Sequence, residues 1–582
     1  MMAGIGGLLA AGGLSWFGKG LLEDEPATTE NTAQPVSDAV ERRSAPSAAQ
    51  PTAPGAAPLP SRPVDDAPKV AGSFADRDTS YSRAVAPEEA YTGPAGLAAS
   101  PKVAAEEVAQ AENVVKTPLT GESKLHLLRR LTFGPTPADV AEVEKLGIDD
   151  WIERQLRPEE LDDPIADRVL EKFPLVSMTT AELLATIERF SWSAMVEVRD
   201  ATLARQLWSK RQLLEVMVEF WHNHLHVPIP GDSWDTAVFH DREVIRKHAL
   251  GKFADLLRAS ARSPSMLWYL SNALSNRESV NENYGREVLE LHTVGIDGGY
   301  NEEDVRNSAY ILSGRTATWE GEFHYDPAKH WVGEVHALGF SDANASPDEG
   351  LAVGDRYLDH LARLPATARR IAGKLAVRFV SDNPPQSLVD RLAQAYLDND
   401  TAIVPVLRVL FRSLEFWAAP GQKLRRPGEN YTATARVLDV LPGDATGKGL
   451  ESFSVWDMGP LGQAPLGWTS PDGYPDVAGA WRSTHITLGQ WNAHRVLVHG
   501  HRPGLTFRKP ESLVEDPPAT TGEYLDALAR RLLFQPLRAS ERQALLDYLE
   551  AKDDAPVGEP PLGGHIAEVA ALMLDSINHS LR

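Results

Sequence analysis

Two short stretches hold most of the side chains able to do chemistry. "FWHNHLHV", residues 220–227, spaces His222, His224 and His226 two apart, and "NENYGREVLELHTVG", residues 281–295, gathers Asn283, Arg286, Glu287, Glu290 and His292. Imidazoles and carboxylates are the groups of general acid–base catalysis. The chain has no cysteine, so thiolate chemistry and sulfur-ligated metal sites are excluded, and any metal must use His, Asp or Glu. At 100° per residue, Leu213, Met217, Phe220, Trp221 and His224 share one helical arc while His222 points elsewhere. An extended chain from Trp221 onward would instead put His222, His224 and His226 on one face, an imidazole set suited to a divalent metal. Pro228 stops the helix soon after in either case. His224 faces inward both ways, and its bland reading is a core histidine bonded to backbone carbonyls.

On the second stretch the same wheel makes Tyr284, Val288, Leu291 and Val294 the apolar arc, with Glu287 inside it and Asn283 and Glu290 at its border. A buried carboxylate is costly unless paired. Glu287 is therefore expected to meet Arg286, an Asn or His from another helix, or a cation, with a structural Glu–Arg–Asn network as the alternative. Two helices that each bury a polar group lower that cost by presenting the groups to each other, so His224 and the Glu287/Glu290 pair are expected to line one pocket.

The elements that must position these residues are helices. Thr120 reads as an N-cap before "ESKLHLLRRL"; Thr136 caps "PADVAEVEKLG", with Pro137 at the first helical position and Gly147 ending the helix; Asn301 caps "EEDVRNSAYILSGR". Period-3.6 spacing recurs through "RDATLARQLWSKRQLLEVMVEFWHNHL", "ATARRIAGKLAVRFV", "QSLVDRLAQAYL" and "EYLDALARRLL", and strand-type alternation is scarce. The fold class is mainly α: a large multi-helical domain, residues 119–582, preceded by a disordered Pro/Ala-rich segment over residues 23–118 whose composition cannot bury enough apolar surface to fold. Residues 1–22 read as a signal or anchor segment or as a dispensable end, since the apolar run lacks a preceding positive charge. The formal charge of −23 on 582 residues repels phosphate backbones and anionic lipid, which argues against nucleic acid as the partner.

"FWHNHLHV", "IRKHALGKFADLLRASARSPSMLWYL", "ENYGREVLELHTVGIDGGYNEEDVRNSAYILSGR" and "PDGYPDVAGAWRST" resemble the bacterial DUF1800 family, whose first motif reads like FWHNHF and second like ENYARELLELHTLG. The resemblance runs from about Leu119 to the C-terminus. It picks out Trp221, His222, Asn223, His224, His248, Asn283, Tyr284, Arg286, Glu287, Glu290, His292, Gly295, Tyr300 and Asp304. It implies export to the periplasm, cell envelope or extracellular space, and a DUF1501-type partner, that family resembling alkaline phosphatases and sulfatases. The family supplies no reaction. Where its members usually carry His-Asp, this chain has Trp331 after His330, so either Asp326 or Glu334 provides the carboxylate or this member has lost one part of a site; His324, His330 and His336 form a loop-borne set whose simpler reading is a solvated connection.

Joining residues and resemblance, the site is expected to comprise His224, Glu287 and Glu290 as acid–base groups and Arg286 as the holder of negative charge. Trp221, Asn223, Asn283, Tyr284 and Tyr300 would face substrate. His222, His224, Glu287 and Glu290 are the candidate ligands of a divalent metal. The leading expectation is an extracytoplasmic enzyme acting on an envelope or extracellular polymer such as carbohydrate, with Trp468, Tyr474 and Trp481 either stacking on sugar faces or buried as core. The alternatives are a non-catalytic envelope assembly protein working with the DUF1501-type partner, and a metal-binding redox protein.

Overall fold

The computed structural model describes residues 117, 120–231, 233–558 and 562–582. The expectations for residues 1–22 and for the linker up to residue 116 lie outside the described residues. Within them the mainly α class is what the chain adopts: 24 α-helices, against six strands of two or three residues each.

The caps are where the sequence puts them. Thr120 and Ser123 form a capping box on Gly121–Leu131, Thr136 and Asp139 form another on Pro137–Leu146, which Gly147 ends at φ +83°, and Asn301 with Asp304 caps Glu302–Leu312. Each box satisfies donors that a helix start leaves unpaired. Asp304 also accepts from the Leu338 amide at 3.0 Å, so one carboxylate both caps a helix and anchors a hairpin.

Two apolar cores run through the helical body. The first gathers Leu127, Trp151, Trp221, Phe253, Tyr284, Phe379 and Tyr396 among others, the second Val198, Tyr431, Phe453, Leu497, Tyr524 and Val569. Trp221 is wholly buried, stacks near Phe253 and donates its indole N–H to the Ala249 carbonyl at 2.9 Å. Truncating such a side chain costs about 3–5 kcal/mol; its payload is packing. Pro365–Phe379 lies along Gln386–Asp398, which in turn packs on Ile403–Phe411. Among the described residues no helix is long and apolar enough to cross a membrane.

The strands pair antiparallel in twos: Arg315–Ala317 with Phe323–Tyr325, Val335–Ala337 with Phe340–Asp342, and Leu441–Pro442 with Leu505–Thr506. The first two occupy the segment that carries His324, His330 and His336. His324 and His336 are exposed on strands, whereas His330 is buried, bonded through Nδ1 to the Ser313 carbonyl at 2.9 Å and through Nε2 to Asn344 Oδ1 at 2.8 Å. His330 thus works as a core histidine. The expectation that Asp326 or Glu334 supplies its partner is corrected to Asn344, and Trp331 stacks on Tyr310 at 4.2 Å between ring centroids.

One departure reshapes the candidate site. Asn283–Glu287 is α-helical, but Val288–His292 is a π-helical turn, whose i→i+5 bonding adds a residue to the turn. A uniform 100° wheel therefore fails beyond Glu287. Leu289 and His292 are buried, whereas Leu291 is half-buried.

Candidate functional site

The helix Gln212–His224 persists to its last residue, so the helical option holds and the extended His-x-His-x-His face does not form. Its two inner histidines look in different directions. His222 bonds Asp241 Oδ1 through Nε2 at 2.9 Å, and Asp241 also receives Arg246 at 3.0 Å, which is bidentate to Glu215 at 3.0 and 2.6 Å. Burial resists ionisation of Asp241, but Arg246, His222 and Arg205 together hold its carboxyl well below the usual range. This is an ion-paired network in which His222 Nδ1 has no hydrogen-bond partner among the described residues. Its physical role is to fix helix packing.

His224 belongs to a different neighbourhood. Its Nε2 donates to the His292 carbonyl at 3.0 Å, which joins the end of its helix to the π turn. Its Nδ1 accepts from Lys374 Nζ at 3.1 Å. Burial, then Lys374 and Arg370, drives the His224 pKa well below its ordinary value, so the imidazole is neutral with the proton on Nε2. The backbone-carbonyl reading of His224 is half right: one nitrogen meets a backbone oxygen, the other an amine.

Lys374 and Arg370 stand one turn apart on Pro365–Phe379. Arg370 donates Nε and a terminal nitrogen to the Leu291 carbonyl at 3.3 and 3.1 Å, fastening the π turn from outside. Gly295, at φ +87°, makes room for it: a Cβ there would lie 2.8 Å from the guanidinium. Burial, then the charge of Arg370, lowers Lys374 to about 7. His292, wholly buried, is held near 3 by burial and by these same two cations, and neither of its ring nitrogens has a hydrogen-bond partner among the described residues.

Both cations line a cavity of about 500 Å³ with Asn223, Trp468, Asp472 and Tyr474. The loop carrying "PDGYPD" closes its far side. Gly473, at φ +72°, lies against the Asn223 carbonyl, where any Cβ would collide with it, and the Tyr474 amide donates to Asn223 Oδ1 at 3.3 Å. Trp468 donates its indole N–H to Asp472 Oδ1 at 2.9 Å. Trp481 and Tyr474 are largely buried, so the sugar-stacking option is confined to Trp468 and the edge of Tyr474. Beneath the cavity, Arg378 and Arg426 share Glu219 and Glu429, and Arg582 reaches Glu429 at 2.8 Å. That floor is fully charged yet largely compensated.

Glu287 is half-buried and has no ion pair or hydrogen bond among the described residues. Burial first, then Glu290, with a further contribution from Asp472, raises its carboxyl to about 7. The expected pairing with Arg286 is corrected: Arg286 reaches outward to Glu302 at 2.9 and 2.7 Å, since consecutive residues of the α-helix Asn283–Glu287 project about 100° apart. Glu290 accepts from the Tyr300 hydroxyl at 3.1 Å, and burial plus Glu290 lifts Tyr300 to about 12.

Of the expected substrate-facing residues, Asn223 lines the cavity and Tyr300 stands beside Glu290. Trp221 and Tyr284 lie in the core, and Asn283 ties its side chain to the Leu270 carbonyl at 3.2 Å. The four candidate metal ligands do not converge, since His222 faces Asp241 and His224 faces Lys374; among the described residues no set of three or more His, Asp or Glu is placed to hold a metal ion. Sequence reasoning missed Lys374, Arg370 and Asp472. A signal for the first two existed in "ATARRIAGKLAVRF": two cations at i, i+4 beside a stripe of Ile371, Leu375 and Phe379, where a lysine next to core is the exception.

The sequence model of the family described as "Protein of unknown function (DUF1800)" matches residues 126–578. No curated protein and no solved structure matches the chain.

Proposed function

The chain belongs to the DUF1800 family, and from that premise we propose that it is an enzyme that works by proton transfer at the Lys374–His224 pair. The observation that carries this reading is the 3.1 Å contact between Lys374 Nζ and His224 Nδ1 at the wall of a 500 Å³ cavity. An amine lowered to about 7 is present as free base in substantial fraction near neutral pH, as a general base requires. His224, fixed by the His292 carbonyl, offers its lone pair to the ammonium form and so orients the amine in either state. Glu287, though its carboxyl is raised to about 7, is like Glu290 not among the residues lining this cavity, so the proton-transfer role is assigned to Lys374 with His224 alone. The cavity volume suits a small molecule or one end of a polymer chain.

The test is a turnover screen across hydrolysable and eliminable substrates, comparing the wild-type chain with Lys374→Met. Loss of general base catalysis lowers the rate by about 10²–10⁴-fold. In parallel, amine-reactive labelling of Lys374 followed by peptide mass spectrometry should rise with a midpoint near pH 7. A product-forming activity that Lys374→Met leaves intact would refute the assignment.

A further inference from the structure

We infer that the cavity binds an anionic group, a carboxylate or a tetrahedral oxyanion, seated against Arg370 with Lys374 beside it. The inference rests on the same cavity as the proposed reaction but not on Lys374 acting as a base. Its ground is an imbalance of charge. The described residues hold many buried or half-buried arginines, and those near this cavity are paired: Arg378 and Arg426 with Glu219 and Glu429, Lys423 with Asp382 and Asp476.

Arg370 and Lys374 are the departure. Among the described residues neither forms an ion pair with a carboxylate: Arg370 bonds the Leu291 carbonyl while Glu290 and Asp297 act on it from farther off, and Lys374 bonds a neutral imidazole. Two half-buried cations one helical turn apart repel each other, and leaving a charge without a counter-ion away from water is costly. Both nevertheless face open volume. An anion in that volume meets the free edge of a planar guanidinium, the group best matched to carboxylate and phosphate geometry, and relieves the repulsion at the same time.

The charged and titratable groups that face Lys374 set the pH dependence. They are Arg370 on its own helix, His224, His292 at the π turn, and Asp472 and Asp476 on the closing loop. His224 and His292 stay neutral across the neutral range, and the two aspartates oppose an incoming anion. Bound anion offsets the field of Arg370, so Lys374 takes up a proton on binding. Affinity therefore strengthens as pH falls through about 7.

Isothermal titration with sulfate and, separately, with acetate tests this, since neither probe changes charge between pH 6 and 9. Saturable binding of sulfate in preference marks a tetrahedral oxyanion site; preference for acetate marks a carboxylate site; either supports the inference if the variants follow it. Arg370→Gln should weaken the preferred probe by about tenfold or more, the size of a lost charge-assisted hydrogen bond, while Arg391→Gln, at a surface arginine paired with Glu415 and outside the cavity lining, should change it little. Asp472→Asn removes an opposing charge and should tighten binding, an effect that misfolding cannot imitate. The absence of saturable binding by both probes, or binding indifferent to Arg370→Gln and Asp472→Asn, overturns the inference. Binding that behaves as expected while Lys374 labels with an ordinary lysine pH profile would sink the proton-transfer reading and leave the anion site standing.

Discussion

Replacing Lys374 with methionine should make the protein more stable at neutral pH. In the unfolded chain a lysine titrates near 10.5, and in the fold Lys374 titrates at about 7 because it is buried and faces Arg370. The folded state therefore releases the proton more readily. Below about pH 7 both states carry the ammonium, and the fold bears the whole penalty: about 3.5 pKa steps at 1.36 kcal/mol each, or about 5 kcal/mol. Between pH 7 and 10.5 the unfolded state binds more protons than the folded one, so stability rises with pH, and above 10.5 the penalty is gone. Methionine fills similar volume without charge but leaves His224 Nδ1 without its donor, at about 1–3 kcal/mol. The net gain at pH 7 should be about 2–4 kcal/mol. Urea unfolding of wild type and variant at pH 6 and pH 9 reads the difference free of that offset, since the missing hydrogen bond enters both. The variant's advantage should shrink by about 2–3 kcal/mol from pH 6 to pH 9. If the difference stays flat, or if the variant is less stable at both values, Lys374 is an ordinary cation and its place in the site loses its physical basis.

Glu287→Gln tests the opposite sign: a carboxyl raised to about 7 binds protons more tightly folded than unfolded, so wild-type stability falls as pH rises from about 4.5 through 7. The glutamine variant should gain about 1–2 kcal/mol at pH 8 after solvent screening and nothing at pH 4, as thermal unfolding at the two values would reveal. Gly295→Ala forces a side chain into the left-handed region and against Arg370; a loss of about 1–3 kcal/mol is expected, together with weaker anion binding by titration, and unchanged stability would show that the loop moves freely. Tyr284→Phe removes a buried hydroxyl that has no hydrogen-bond partner among the described residues, so its stability by denaturant titration should match or exceed wild type; a marked loss would mean that the hydroxyl is bonded.

What the sequence by itself determined is the local grammar. Thr120, Thr136, Gly147 and Asn301 mark helix ends because capping depends on neighbours three or four residues away, and the 3.6-residue spacing of apolar side chains settles the helical class for the same reason. The inward direction of His224 was legible too, as was the cost of placing Glu287 near apolar residues. The identity of their partners was not. The wheel assumed a regular helix, and the π turn at Val288–His292, which carries the His292 carbonyl bonded by His224, has its Leu291 carbonyl held by Arg370 from a distant helix. Lys374 meets His224 across 150 residues of chain, and Asp472 faces them from a loop another hundred residues on. Such convergence follows from how helices pack. No pattern of spacing records it, because the energy that lowers an amine or raises a carboxyl comes from burial and from charges that only the folded chain brings within a few ångströms.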